Sequence, residues 1–186
     1  MDHTEAIVEF KNAVNPELIK RVIKFSKHKC KESLKVGTLS TATLDRNIRN
    51  VKGYYLKQDG TPTQIFYWNY IKNQIERLYS LYIAKFPMMK STRINQIDLL
   101  KYTPGGKYEI HTDQGTHISR HLSVIINLND DYEGGDLVFT DQKGEEVKTV
   151  KLGTGSIVFF PSNFLYPHSI RPITKGTRYS IVAWLE

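Results

Sequence analysis

The chain has one cysteine in 186 residues. An internal disulfide is therefore excluded, and Cys30 reads as a small semi-buried filler in a protein of a reducing compartment. No apolar run approaches the roughly 20 residues that a membrane-spanning helix needs. The opening stretch MDHTEAIVEFKNAVNPELIKRV carries acids early and has no apolar core of signal-peptide length, so the expectation is a soluble, cytoplasmic protein without a membrane partner. Internal repeats and low-complexity tracts are absent as well. Acidic residues are fewer than basic ones: 19 Asp and Glu against 26 Lys and Arg leave a formal charge of +7. Such an excess can serve phosphate binding. Much of it, however, sits at Lys20, Arg21, Lys24, Lys27, Lys29, Lys31 and Lys35, interleaved with Leu18, Ile19, Val22, Ile23 and Phe25 at helical spacing. That pattern favours a solvated helix face over a nucleic-acid surface.

The length suits one domain over residues 1–186, with 1–93 as helical support and a substrate-side segment and 94–186 as a β-rich core. Asn15-Pro16-Glu17 is a helix start, with Asn as cap, Pro in the first turn and an acid near the positive end of the dipole, and predicts a helix to about Ser33. A short strand is expected near Val36 to Leu39, then an irregular stretch over Thr41 to Gly60. A second helix is predicted from Pro62 to Phe86, capped by Thr61, because Ile65, Trp68, Ile71, Ile75, Leu78, Tyr79 and Tyr82 recur at three- and four-residue steps. From Ile94 onward the texture changes to about eight short alternating or apolar runs, separated by PGG, NDDYEGG, DQKGEE, GTG, PSN and TKG. These are strand and turn signals without an intervening helix, as in a β-sandwich, barrel or jelly roll.

Within that β region stands YTPGGKYEIHTD. Residues two apart on a strand point to one face, so His111 and Asp113 can reach a common point. A third ligand is needed, and among the remaining histidines (His3, His28, His117, His121 and His168) His168 in LYPHSIRPI is the best placed. Two histidines and one carboxylate form a facial set that leaves coordination positions open and suits non-haem Fe(II). Ten residues on, Arg178 lies on the strand TRYSIVAWL, where alternation puts it on one face with Ser180 and Val182. A guanidinium there could clamp a carboxylate through two charge-assisted bonds.

YTPGGKYEIHTD, then RHLSVIINLNDDYEGGDLVF, then GSIVFFPSNFLYPHSIRPITKGTRYSIVAWL resemble the catalytic core of the Fe(II)/2-oxoglutarate-dependent oxygenases, in particular the prolyl 4-hydroxylase-like branch. The likeness covers roughly Ile94 to Glu186. It implies a mainly β fold, a double-stranded β-helix or distorted jelly roll with N-terminal flanking helices. By resemblance, His111, Asp113 and His168 are the iron ligands, and Arg178 binds the distal carboxylate of 2-oxoglutarate. Tyr102 and Trp184 line the cosubstrate pocket. RNIRNVKGYYL is similar to the family's substrate-side segment, with Arg49 as its arginine and Tyr54 and Tyr55 flanking an extended peptide. The implied cofactors are Fe(II), 2-oxoglutarate and O2, with ascorbate as an optional addition.

There is one departure. Many relatives carry a tyrosine that donates to the distal carboxylate, and this chain has Asn127 there, whose amide could donate in its place; Thr140 or Ser180 could supply a replacement hydroxyl. The reaction implied is hydroxylation of an aliphatic C–H, with release of succinate and CO2, on a peptidyl prolyl residue. Hydroxylation of a free amino acid or other small molecule is the alternative. A nucleic-acid demethylase and a non-catalytic binding module rank lower, since the spacing of Arg178 matches the hydroxylases and all three ligand positions are filled. Leu122, Ile125, Leu137 and Val158 are expected to line the site or fill ordinary core. Gln114 to Ser119 and Arg46 to Tyr55 are expected to form a mobile lid over it.

Overall fold

Alternating strands with apolar residues on both faces must be covered on both sides, and this chain covers one large sheet with helices on one face and a second sheet on the other. The computed structural model describes residues 3–36, 42–91, 93–115 and 119–186. After a 3-10 turn at His3–Ala6 come β1 (Val8–Phe10), α1 (Pro16–Lys29), β2 (Glu32–Ser33), β3 (Arg49–Asn50), β4 (Lys52–Tyr55) and α2 (Pro62–Lys85). Then follow β5 (Ile94–Tyr102), β6 (Lys107–His111), β7 (Leu122–Asn127), β8 (Tyr132–Gly134), β9 (Leu137–Thr140) and β10 (Glu146–Val150). The chain ends with β11 (Ile157–Pro161), β12 (His168–Ile170), β13 (Ile173–Gly176) and β14 (Arg178–Leu185). The larger sheet has the order β1-β11-β7-β14-β5-β4-β2, the facing sheet β10-β9-β12-β6-β3, and β13 pairs with β8. This is the distorted jelly roll expected from the sequence, with both helices outside it.

Strand alternation assigns each side chain to a layer. Tyr179, Ile181, Ala183 and Leu185 of β14 and Leu122, Val124 and Ile126 of β7 pack under the helices, together with Trp68, Ile71, Ile75 and Leu78 of α2. Val182, Trp184, Ile125, Val158 and Phe160 lie on the opposite face and meet Leu137, Phe139 and Ile170 of the second sheet. Leu122 therefore packs under the helices and not around the site, whereas Ile125 faces the site. Ile75 is fully buried beneath α2. Ile75→Ala is expected to cost about 2–5 kcal/mol of unfolding free energy, read as a lowered denaturant midpoint at unchanged slope.

Both helix starts follow the sequence. The Asn15 side chain accepts from Glu17 N–H at 2.8 Å ahead of Pro16, and Thr61 and Gln64 form a reciprocal capping box. α1 stops at Lys29, short of Ser33, because Glu32 and Ser33 pair with Gly53 and Lys52 of β4 instead. The stretch Arg46 to Tyr55, expected as a mobile lid, contains two strands, and β4 is tied to β5 from Lys52↔Lys101 to Tyr55↔Asp98. Of the strand expected at Val36 to Leu39, Val36 bridges Thr43 and the rest lies outside the described residues. Positions 116–118 of the other lid segment, His117 included, also lie outside them. Cys30 is buried and its thiol donates to the Leu99 carbonyl at 3.4 Å.

Candidate active site

β6 and β12 place His111 directly opposite His168, but two residues along β12 Ile170 already faces Tyr108, three residues along β6. The extra residue in β6 is a bulge, which breaks the alternation of side chains. Tyr108 and His111 consequently share a face, with their rings stacked at 3.6 Å and 18°. The His111 and His168 rings lie 4.3 Å apart. Asp113 stands just past the end of β6 and projects its carboxylate between them, Oδ1 at 3.7 Å from His111 Nε2 and Oδ2 at 3.6 Å from His168 Nε2. The three ligand atoms lie within 4.8 Å of one another.

Local backbone geometry fixes which nitrogen of each imidazole is free. His111 Nδ1 lies 2.8 Å from the Glu109 carbonyl and His168 Nδ1 3.1 Å from the Tyr166 carbonyl, so in both rings Nδ1–H donates and the Nε2 lone pair faces Asp113. Burial, reinforced by the neighbouring His168, pushes His111 down to about 3, which keeps that ring neutral and able to coordinate. Burial alone would raise the Asp113 carboxyl, but His168, His111 and the Ser123 hydroxyl outweigh it and bring the group down to about 2. Ser123 Oγ donates to Asp113 Oδ2 at 2.6 Å and lies 2.7 Å from Ser162 Oγ. Two imidazoles whose Nε2 atoms face one carboxylate held anionic are a donor set for a divalent transition metal.

The three residues open onto a cavity whose walls include Arg49, Tyr102, Tyr108, Arg178, Ser180 and Trp184. Arg178 is 1% exposed, and among the described residues no acid forms an ion pair with it. Its guanidinium carbon lies 5.3 Å from the Tyr102 ring centroid, and Nε donates to Asn127 Oδ1 at 3.2 Å. Gly135 makes room for it: with φ at 71°, a Cβ there would also come within 3.3 Å of Arg178 Cδ and 2.4 Å of Ile173.

Three expectations change with this geometry. Asn127 does not reach into the cavity as a donor, because its amide hydrogens go to the carbonyls of Asn129 at 2.6 Å and Leu152 at 2.8 Å. Thr140 is turned away, since its neighbour Phe139 is the residue that faces His168. Tyr54 packs on the helix side, against Phe25 and Gln64, while Tyr55 on the other face of β4 is 46% exposed. Arg49 is on the cavity wall, with its guanidinium 4.6 Å from the Tyr108 ring. Its terminal nitrogen donates to the Lys35 carbonyl at 3.2 Å, and Lys35, Tyr54 and Tyr55 line a separate surface groove.

Sequence reasoning missed Arg120, whose guanidinium lies flat over Trp184 at 3.6 Å and donates to the Asp113 carbonyl and to Gln96, which in turn holds the buried Asp98. It also missed Tyr108, Ser123 and Ser162. Ser123 had a legible signal: it is a polar residue at an inward position of the otherwise apolar run LSVII.

Residues 97–186 match the family model of the 2OG-Fe(II) oxygenase superfamily. A PKHD-type hydroxylase of Idiomarina loihiensis is 24% identical over 97% of this chain and 77% of its own length. A PKHD-type hydroxylase of a Synechococcus strain (CC9902) is 35% identical over 56% of this chain and 49% of its own length. The chain thus spans about half of that relative. In three dimensions it is similar to a Trichoplax adhaerens prolyl hydroxylase solved with a peptide fragment of the hypoxia inducible factor, at a TM-score of 0.78 and 19% identity over 98% of this chain and 84% of that one. A Pseudomonas putida prolyl-4-hydroxylase gives 0.74 and 18% over 97% and 92%.

Proposed function

We propose that this chain is a 2OG-Fe(II) oxygenase of the prolyl 4-hydroxylase-like branch and that it hydroxylates a prolyl residue in a peptide or protein, a reading supported by the family model over residues 97–186 and by the similar hydroxylases. The observation that supports this best is the pairing, on one cavity, of a two-histidine-one-carboxylate cluster with a buried arginine that forms no ion pair with an acid among the described residues. The donor set fits the family's iron, and the buried guanidinium of Arg178 fits the far carboxylate of 2-oxoglutarate. Once bound, Fe(II) with 2-oxoglutarate and O2 supplies an oxidant for an aliphatic C–H, with succinate and CO2 as coproducts.

The chain's own residues then have distinct tasks. His111, Asp113 and His168 hold the metal through two neutral nitrogens and one anionic oxygen. Arg178 fixes the far end of the cosubstrate so that its chelating end is presented at the cluster. Tyr102 and Trp184 wall the cosubstrate, while Leu100, Ile125 and Val182 keep water out of the interior. Arg49 on the cavity wall and Tyr55 on the surface groove are assigned to the substrate side. Residues 1–186 form one catalytic domain in this reading, working in the cytoplasm.

Ser123 matters because it holds one oxygen of Asp113 and leaves the other for coordination. Ser123→Ala is expected to weaken metal affinity roughly 10–100-fold, measured by competition with a chromophoric chelator. For the function itself, a proline-containing peptide library incubated with Fe(II), 2-oxoglutarate and O2 should gain one oxygen per modified peptide by mass spectrometry, matched by succinate. Oxygen gain on a free amino acid and on no peptide would move the assignment to small-molecule hydroxylation. No visible charge-transfer band on anaerobic addition of Fe(II) and 2-oxoglutarate to folded protein would sink the oxygenase reading.

A further inference from the structure

Gln96 and Asp98 stand two residues apart on β5 and so share its cavity-side face with Leu100 and Tyr102. Asp98 is 6% exposed, and among the described residues both of its oxygens accept from one donor, the neutral amide of Gln96, at 3.1 and 3.0 Å. A buried carboxylate met only by an amide costs stability that an apolar side chain there would not. Its value to the molecule therefore lies in something other than folding.

Asp98 dictates which way the Gln96 amide points. Nε2 must face the carboxylate, since the reversed amide would set Oε1 against it, so Oε1 faces the other way and accepts from Arg120 Nη2 at 3.0 Å. Arg120 is thereby aimed. Its second terminal nitrogen donates to the Asp113 carbonyl at 3.3 Å, and its guanidinium carbon lies 3.6 Å from the Trp184 ring centroid. Trp184 is itself directly opposite Gln96 in the register of β14 against β5. Asp113 stands past the end of the β6 ladder, so the bond from Arg120 to its backbone is a fixed point for this residue, alongside the Ser123 hydroxyl on its carboxylate.

We propose that Gln96 and Asp98 are positioning residues: acting through Arg120, they hold the Asp113 backbone and the Trp184 indole in the geometry that the metal cluster needs. The proposal rests on the metal-site part of the oxygenase reading and adds a source of that geometry outside the ligands. A carboxylate that serves orientation and not folding is dispensable for stability and needed for the site. Its effect exists only while Arg120 is present.

The test uses the whole chain with Co(II) as the probe, whose visible absorption reports ligand geometry and whose affinity is read by competition with a chromophoric chelator. Asp98→Ala and Gln96→Ala are each expected to weaken Co(II) roughly 10-fold and to alter its absorption bands. Asp98→Asn keeps the shape but frees the Gln96 amide to turn; it should lose affinity in the same direction, although the metal-free variant melts no lower than wild type. Asp98→Ala added to Arg120→Ala should cost nothing further, because the two act in series. Gln96→Glu combined with Asp98→Asn reverses donor and acceptor within the pair, still offers an oxygen to Arg120, and should recover the affinity lost in Asp98→Asn. Unchanged Co(II) affinity and absorption in Asp98→Ala, losses that add in full to those of Arg120→Ala, or no recovery in the reversed pair overturns the inference and leaves the oxygenase reading standing. Co(II) binding with this coupling intact, but no oxygen gain on any peptide or amino acid, sinks the oxygenase reading and leaves the inference standing. Wild-type protein that does not bind Co(II) overturns both.

Discussion

Asp113→Ala is expected to abolish turnover and to remove tight metal binding, while the metal-free variant still folds. Asp113 is the only anion of the cluster, and its carboxylate stands between two imidazole nitrogens at 3.7 and 3.6 Å. Without it, a divalent cation would be held by two neutral donors from β6 and β12 and by nothing that offsets its charge. The loss should exceed the roughly 10–100-fold that removal of an outer partner costs. Asp113→Asn separates shape from charge: the amide can still meet the Ser123 hydroxyl, yet it offers no anionic oxygen, so it should resemble the Ala variant. Folding is spared because Asp113 lies beyond the end of β6 and belongs to neither apolar cluster. Succinate release, chelator competition and thermal melting of the metal-free protein check the three parts. Normal succinate production by either variant would remove Asp113 from the metal.

The positions of these groups were legible in the sequence to different depths. His-x-Asp, a distant His and an Arg ten residues later are contained in residue type and spacing. The two-layer core followed from alternation, which places Arg178, Ser180, Val182 and Trp184 on one side of β14 and Tyr179, Ile181 and Ala183 on the other. What alternation cannot supply is a break in itself. The bulge in β6 brings Tyr108 under His111 although the two are three residues apart, and no local feature of KYEIH announces it. Strands of two to four residues, such as β2, β3 and β4, carry too few positions to show a period and are defined by their pairing, β2 with β4, β3 with β6 and β4 with β5.

Asn127 illustrates a different limit. Its place on an inward face could be read, but the direction of its amide depends on the carbonyls of Asn129 and Leu152, and Leu152 is remote in sequence. Arg120 was illegible for a similar reason. Its role comes from lying over Trp184 of β14, 64 residues away by number, and from Gln96 on β5.

Arg178→Ala is the second large effect, and it should appear in affinity for the cosubstrate more than in the metal. The guanidinium is buried on the wall of the cavity and forms no ion pair with an acid among the described residues, so it is a strong donor for a distal carboxylate there. Two charge-assisted bonds, each worth about 1.5–3 kcal/mol, correspond to a loss of about 100-fold or more in 2-oxoglutarate affinity. Metal binding should stay near the wild-type value, because the cluster is held by β6, β12 and the Ser123 hydroxyl and none of these touches Arg178 through a hydrogen bond. Arg178→Lys keeps the charge but replaces a planar fork with a single ammonium point, so it should fall between the wild type and Ala. The diagnostic outcome is a raised KM for 2-oxoglutarate with kcat partly recovered at high cosubstrate concentration. A kcat that falls with KM unchanged would place Arg178 elsewhere in the reaction, since an anchor for the cosubstrate cannot be removed without a cost in binding it.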